Sequence, residues 1–421
     1  MSQPPLSMRL PEGTALNVDL QWEPQSRVRV GRLGMHGRQV LFEYDSEFAA
    51  RGPDVSPLKL PRRTGVIALR EPAFEHLPGV FADSLPDGWG RLLLDRLARR
   101  RGLRPEWLTP LDRLAHVGSD GIGALVYAPE LLKDTDESPV DLDEIADASQ
   151  GILTSDSDLL LDELRRIGGS PQGARPKALI QLHTTSGQLS SSQADLGPGW
   201  QHWLVKFAAA GEGADVGAVE FAYAQMAVAA GLVMPEVKLL PSRHGPGYFA
   251  SRRFDRDGTR RTHAATAAGL LHADFGLPSL DYLDLTRLTL HLTRDQREAE
   301  RMVRLAIFNV FAHNRDDHAK QFTFLMNPVG QWRLAPAYDL TFSTGPGGEH
   351  STSLAGEGRA PALQHLQKVA AVAGLDPREF RAFAEQTAEA VGRWNEFARE
   401  AGVAAATSAL IASSLALPST G

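Results

Sequence analysis

The sequence predicts an α/β (α+β) fold in three parts: a β-rich N-terminal subdomain, a middle lobe mixing strands with helices, and a helical C-terminal lobe. Three observations carry this. Asn17 to Leu60 alternates apolar and polar residues and is broken by Gly31, Gly34 and Gly37, the pattern of short hairpins. His202 to Phe207, Glu236 to Leu240 and Gly247 to Phe254 read as strands around one helical stretch, AVEFAYAQMAVAAGL. Thr262 to Phe311 and Gln364 to Leu417 keep helical spacing. The parts divide at residues 1–130, 131–260 and 261–421.

At 421 residues the chain is too long for a single core, so two or three subdomains are expected. With 43% apolar and 23% charged residues it has the composition of a soluble globular protein. A net charge of -7 argues against bulk attraction to nucleic acid or an anionic membrane. There is no cysteine, which excludes disulfides and thiolate metal sites. The opening stretch MSQPPLSMRLPEG has no apolar core of a signal peptide, so the expected location is cytoplasmic, with no membrane partner.

Taken in order, Leu77 to Leu108 follows the first hairpins with a helical pattern. Phe81, Leu85, Trp89, Leu92, Leu93 and Leu97 form its apolar side, and Arg91, Arg96, Arg99, Arg100, Arg101 and Arg104 supply positive charge. Such a run reads as a solvated face ahead of a phosphate or RNA site. Gly118, Gly121 and Gly123 precede strand-like Ala124 to Tyr127 and read as a tight turn, because their spacing matches no nucleotide fingerprint. Asp134 to Glu163 holds eleven acidic residues and no Lys or Arg, which predicts exposed helices joining two subdomains. Ala401 to Leu417 carries no charge, and its Ala, Ser and Thr content predicts a buried terminal helix in place of a membrane span.

The middle lobe brings chemistry. GGSPQGARPKALIQL places glycines and small residues before an apolar run, and glycine lets a backbone approach a phosphate closely and aim its N–H groups at the oxygens. Lys206 ends the alternating strand HWLVKF beside apolar neighbours, where an ammonium must snorkel or pair with an anion. In a kinase that anion is the nucleotide's phosphates, and a helix glutamate holds the lysine in place. Glu220 is the available partner.

The stretch AHNRDDHAKQFTFLM, Ala312 to Met326, follows a helix from Gln296 to Phe311 and precedes a hairpin around Asn-Pro-Val-Gly-Gln. Arg315, Asp316, Asp317, His318 and Lys320 thus crowd one helix-to-strand corner. Arg-Asp, four residues and then the amide of Gln321 is close to the catalytic loop of protein kinases, where Asp accepts a hydroxyl proton and the amide holds magnesium. A charged surface turn is the other reading of this loop alone. Asp339, in PAYDLTFS after the hairpin, stands where a kinase keeps its main metal-binding carboxylate and favours a two-lobed kinase-like fold.

With these landmarks the chain resembles the HipA family of kinases, the toxins of bacterial toxin and antitoxin pairs. The matching segments are VGRLGMHGRQVLFEYDSEF, SPLKLP, FADSLPDGWGRLLLDRLARRRG, RLAHVGSDGIGAL, GARPKAL, HWLVKF, ASRRFDR, RDDHAKQF and PAYDLTFS. They run in order over nearly the whole chain. The resemblance implies ATP and magnesium, a serine/threonine protein substrate such as an aminoacyl-tRNA synthetase, and a small helix-turn-helix antitoxin through which alone it meets operator DNA. Carried over by motif, it implies Asp316 as catalytic base and Asp339 with Gln321 as metal ligands. Gln172, Gly173, Ala174, Arg175 and Lys177, with Lys206 and a hinge at Arg252 to Phe254, would contact ATP. His318 and Lys320 would lie near the phosphates, and Ser170 would be autophosphorylated.

Two residues depart from the family pattern. Arg175-Pro176 stands where a polar pair such as Gln-Glu is common, and Gln321 where Asn is usual. The extra methylene of Gln321 predicts a higher magnesium requirement, which Gln321→Asn would relieve. Two other functions share these motifs: a small-molecule phosphotransferase, and a kinase-fold protein without turnover that acts by holding an antitoxin on DNA.

Overall fold

The structure, a computed structural model, describes residues 8–68, 72–131, 140–154, 160–168, 173–191 and 196–415. The first three strands, Leu16–Glu23 (β1), Ser26–His36 (β2) and Gln39–Tyr44 (β3), form successive hairpins. Gly37 takes φ +60° in the two-residue turn between β2 and β3, a left-handed backbone open to a residue without Cβ. Helix α1 (Ser46–Arg51) is capped by the Asp45 carboxylate. Val66–Ala68 (β4) and Leu125–Ala128 (β5) complete an antiparallel sheet in the order β4-β3-β2-β1-β5.

The helical stretch from Leu77 is split into α2 (Gly79–Ala82) and α3 (Gly88–Arg100), because Pro86 between them cannot continue a helix. Helix α4 (Pro110–Val117) starts in a Thr109/Asp112 capping box and ends at Gly118, from which the expected turn leads into β5. In α5 (Leu142–Thr154) and α6 (Leu161–Gly168) the structure departs from the exposed connection that the acidic composition predicts. Leu142, Ile145, Ala148 and Ile152 recur every three or four residues and are buried, so an apolar stripe beneath the acidic face packs into the core.

The middle sheet has the order β7-β6-β8-β10-β9, from Lys177–His183 (β6), Leu189–Ser190 (β7), Trp200–Lys206 (β8), Val237–Leu240 (β9) and Tyr248–Arg252 (β10). Its pleat sorts side chains by face. Ala178, Ile180, Trp203, Val205 and Ala250 pack with Trp89, Leu93 and Leu97 of α3 and with α5 and α6. Helix α7 (Val216–Ala229) joins β8 to β9 and buries Ala218, Ala222, Tyr223 and Met226 against the C-terminal helices.

A small hairpin of Arg256–Asp257 (β11) and Arg260–Arg261 (β12) leads to His263–Thr266 (β13), α8 (Ala267–Leu271), Leu280–Asp281 (β14), α9 (Tyr282–Thr293) and α10 (Gln296–Phe311). Thr323–Met326 (β15) and Trp332–Leu334 (β16) form the expected hairpin, β15 also pairs with β13, and Thr352–Ser353 (β17) pairs with β14. The chain closes through α11 (Leu363–Val372), α12 (Pro377–Gly392), α13 (Trp394–Ala401) and α14 (Ala405–Ser414). Helix α14 is not the buried terminal helix that its lack of charge predicts: it buries Ile411 and leaves Leu410 62% exposed. Ala and Ser offer too little apolar area to draw a helix inward. Among the described residues, no helix is long and apolar enough to cross a membrane.

Candidate active site

The second face of the middle sheet opens on a cavity of about 780 Å³. Lys177, Leu179, Leu204, Lys206, Phe249 and Ser251, the alternate residues of β6, β8 and β10, line it. Ala224, Met234, Pro235 and Phe254 give it an apolar end, while Asp316, His318, Lys320, Gln321 and Asp339 face the sheet from the C-terminal lobe. An apolar pocket with convergent polar groups at one end is the usual form of a small-molecule site.

At the polar end Lys206 Nζ donates to Glu220 on α7 and to Asp339, so the pair expected from order along the chain is made and a third group joins it. Burial opposes the ammonium's charge, but Asp339 and Glu220 hold its pKa above the ordinary lysine value. Asp339 is half-buried, its side chain 35% exposed to the cavity, and Lys206, Lys177 and the Gln321 amide hold its carboxyl far below the usual range against the loss of hydration. Its backbone sits at φ +56°, in the left-handed region that Asp enters more readily than most residues.

Gln321 Nε2 donates to Asp339 Oδ2 at 2.9 Å. Two adjacent ligands of an octahedral cation with bonds of about 2.0–2.1 Å are separated by about 2.9 Å. Rotating the amide by half a turn would turn Gln321 Oε1 toward Asp339, so the longer side chain reaches the carboxylate and the pair offers a hard cation two oxygen donors. Among the described residues no three His, Asp or Glu side chains gather as a self-sufficient metal cage. A cation here would draw the rest of its ligands from water or a bound phosphate, as magnesium commonly does.

The catalytic-loop carboxylates are strongly distinguished. Asp317 is buried at 1% exposure and accepts from Tyr282 Oη at 2.9 Å, His350 Nδ1 at 2.9 Å and the Thr352 amide at 3.2 Å. Asn309 extends this network by donating to Tyr282 Oη at 2.8 Å. Asp316 is exposed along the cavity and accepts no hydrogen bond from any described residue. Hydration lost within the cleft, with the charges of Asp339 and Asp317, raises its pKa, against the pull of His318. His318 itself caps the short turn Ala319–Gln321 by accepting from the Lys320 amide at 3.3 Å.

Of the glycine loop, Gly173, Ala174, Arg175 and Lys177 line the cavity, while Ser170 and Gln172 lie outside the described residues. Arg175 pairs with Glu212 at 2.6 Å and reaches within 3.9 Å of Glu220. Burial, reinforced by Lys206 and opposed by Asp339, lowers Lys177 to about 8. Arg252 and Phe254 stand at the apolar end, Phe254 with its ring 5.5 Å from that of Tyr338. Between them Arg253 pairs with Asp255, and Asp255 receives the Gly123 amide at 2.7 Å. The glycine turn before β5 is thus docked on the ASRRFDR segment.

Sequence reasoning missed the N-terminal contribution. Asp87 reaches the cavity and accepts from Lys320 Nζ at 2.6 Å and from the Gly173 amide at 2.5 Å. Asp83, one turn earlier, receives the Thr266 amide and hydroxyl at 2.7 Å each, and burial still pushes its carboxyl up to about 6. The signal was two carboxylates spaced four apart in FADSLPDGWG, overshadowed by the arginine run that follows.

Residues 169–394 match the family model for the HipA-like C-terminal domain, and residues 25–128 match that for the HipA N-terminal domain. Comparison with curated proteins gives no match. Among solved structures, the chain is similar to one from the Shewanella oneidensis MR-1 toxin antitoxin system, a complex of HipA, HipB and its operator DNA. The TM-score is 0.67 at 17% identity, over 95% of this chain and 94% of that one. At that identity the likeness speaks to the kinase-like fold.

Proposed function

The chain belongs to the HipA family, and on that premise we propose that it is an ATP-dependent serine/threonine protein kinase, the toxin of a toxin–antitoxin pair. One observation carries the reading: Asp316, a carboxylate with no hydrogen-bond partner among the described residues, shares a cavity with the Lys206–Glu220–Asp339 ion cluster. In this reading the apolar end formed by Ala224, Met234, Pro235 and Phe254 receives adenine, and Lys177 and Lys206 offset phosphate charge. Asp316 takes the proton of an acceptor Ser or Thr hydroxyl as its oxygen attacks the γ-phosphorus and ADP leaves. Magnesium, held by Asp339 and Gln321, would neutralise charge between the β- and γ-phosphate oxygens. Ser170, next to the loop, remains the proposed autophosphorylation site. An aminoacyl-tRNA synthetase is the proposed type of target.

Incubation with γ-labelled ATP, a protein extract and a set of small hydroxyl compounds tests this. Label on protein Ser or Thr supports the reading. Label confined to small compounds would make the chain a small-molecule phosphotransferase, and none at all a binding protein.

The proposed partner is a HipB-like helix-turn-helix antitoxin, supported by the HipA–HipB–DNA complex that the fold resembles. A chain of net charge -7 has little attraction of its own for phosphate backbones. The purified chain should therefore shift no DNA without that partner, and salt-sensitive specific binding by the chain alone would remove this part.

A further inference from the structure

Asp87 occupies the N-cap of α3 but makes no capping hydrogen bond with its own helix. An Asp at this position ordinarily accepts from the second or third amide of the helix. Here the carboxylate turns outward, one oxygen on the Gly173 amide and the other on Lys320 Nζ. The neighbouring backbone follows the same direction. Trp89 donates its amide to the Gly173 carbonyl at 3.0 Å, so both polar groups of Gly173 are held by the start of α3. Gly88 lies so close beneath the loop that a Cβ there would sit 2.5 Å from Ala174 Cα. Lys320 is fixed from its other side by the Phe275 ring, 3.9 Å from Nζ.

We infer that Asp87 is a positioning residue that sets the glycine loop against the catalytic loop, one oxygen for each, so that the N-terminal subdomain fixes the distance over which a phosphoryl group would pass. The kinetic consequence rests on the phosphotransfer reading above; the structural one does not. Two loops on separate elements drift independently unless something ties them, and transfer is steeply sensitive to misplacement of the reacting groups. A carboxylate shared by both loops is such a tie, and its charge strengthens both hydrogen bonds.

The two oxygens can be tested apart. Asp87→Asn keeps an oxygen for the Gly173 amide and loses the charge on Lys320, whereas Asp87→Ala loses both. With full-length protein, hydrogen exchange at the Gly173 amide should speed up by about tenfold in Asp87→Ala and stay near wild type in Asp87→Asn. In steady-state assays Asp87→Asn should lower kcat by about tenfold with KM for ATP little changed, and Asp87→Ala should raise KM as well. In a Lys320→Met background, adding Asp87→Asn should lower kcat no further. Unchanged Gly173 exchange in Asp87→Ala would overturn the tie, whatever the activity. Equal loss of kcat at constant KM in both variants would overturn the division between oxygens, and additive losses in the double variant would overturn the route through Lys320. If no phosphotransfer is found in wild type, the exchange result still decides the structural claim, and the functional reading fails separately.

Discussion

Asp316 and Asp317 are adjacent in the chain and opposite in surroundings: Asp317 is enclosed by Tyr282, His350 and Thr352, and Asp316 faces the cavity with no hydrogen-bond donor among the described residues. Backbone geometry sends successive side chains apart at this corner, so one carboxylate braces the loop and the other remains for chemistry.

This division predicts different failures for the two asparagine variants. Asp317→Asn presents an N–H2 group to at least one of three buried donors and should cost about 1–3 kcal/mol of stability. Asp316→Asn, on an exposed side chain, should change stability by no more than about 0.5 kcal/mol. Denaturant melts of both variants check this, and equal stability would show that the Asp317 network braces nothing.

Lys177 predicts a pH dependence of nucleotide affinity. In the free protein burial lowers it to about 8, so above that pH it is largely neutral. A bound phosphate favours the ammonium and raises its pKa, so binding takes up a proton above pH 8. Affinity should then fall as pH rises, by up to about tenfold per unit. Calorimetry at pH 8.5 in two buffers of different ionisation enthalpy reads the proton directly. Matching heats in both buffers would contradict the assignment.

For Gln321, residue type and geometry point in opposite directions. The added methylene alone suggests that Gln321→Asn should lower the metal requirement. The 2.9 Å hydrogen bond to Asp339 shows that the longer side chain already reaches the carboxylate with which it would share a cation. Shortening the side chain withdraws it by about one bond length, so Gln321→Asn should raise the magnesium concentration for half-maximal rate. A metal titration at saturating ATP decides the sign, and a lower requirement in the variant would restore the expectation from residue type.

Much of the site was legible because its groups act through order along the chain. Lys206 and Glu220 could be paired from a strand and the helix after it, and Asp316, Gln321 and Asp339 from their spacing around one hairpin. Asp87 was not legible, because its role depends on Pro86 ending one helix and aiming the next N-terminus at a loop 86 residues away. The spacing from Arg-Asp to Gln321 singled out Asp316 over Asp317, and burial supplies the physical difference between the two that spacing does not. The surface position of α14 and the buried stripe of α5 escaped for a related reason, since average composition hides which single face of a helix meets the core.

The single-turnover rate of γ-phosphoryl transfer by wild type and Asp316→Asn at saturating ATP, with nucleotide affinity measured alongside, tests most directly whether Asp316 is the base. Losing the base should slow transfer by roughly 10²–10⁴ while affinity changes little. Wild-type turnover in Asp316→Asn would contradict this role, because the loop carboxylate that faces the cavity would then have no part in the chemistry.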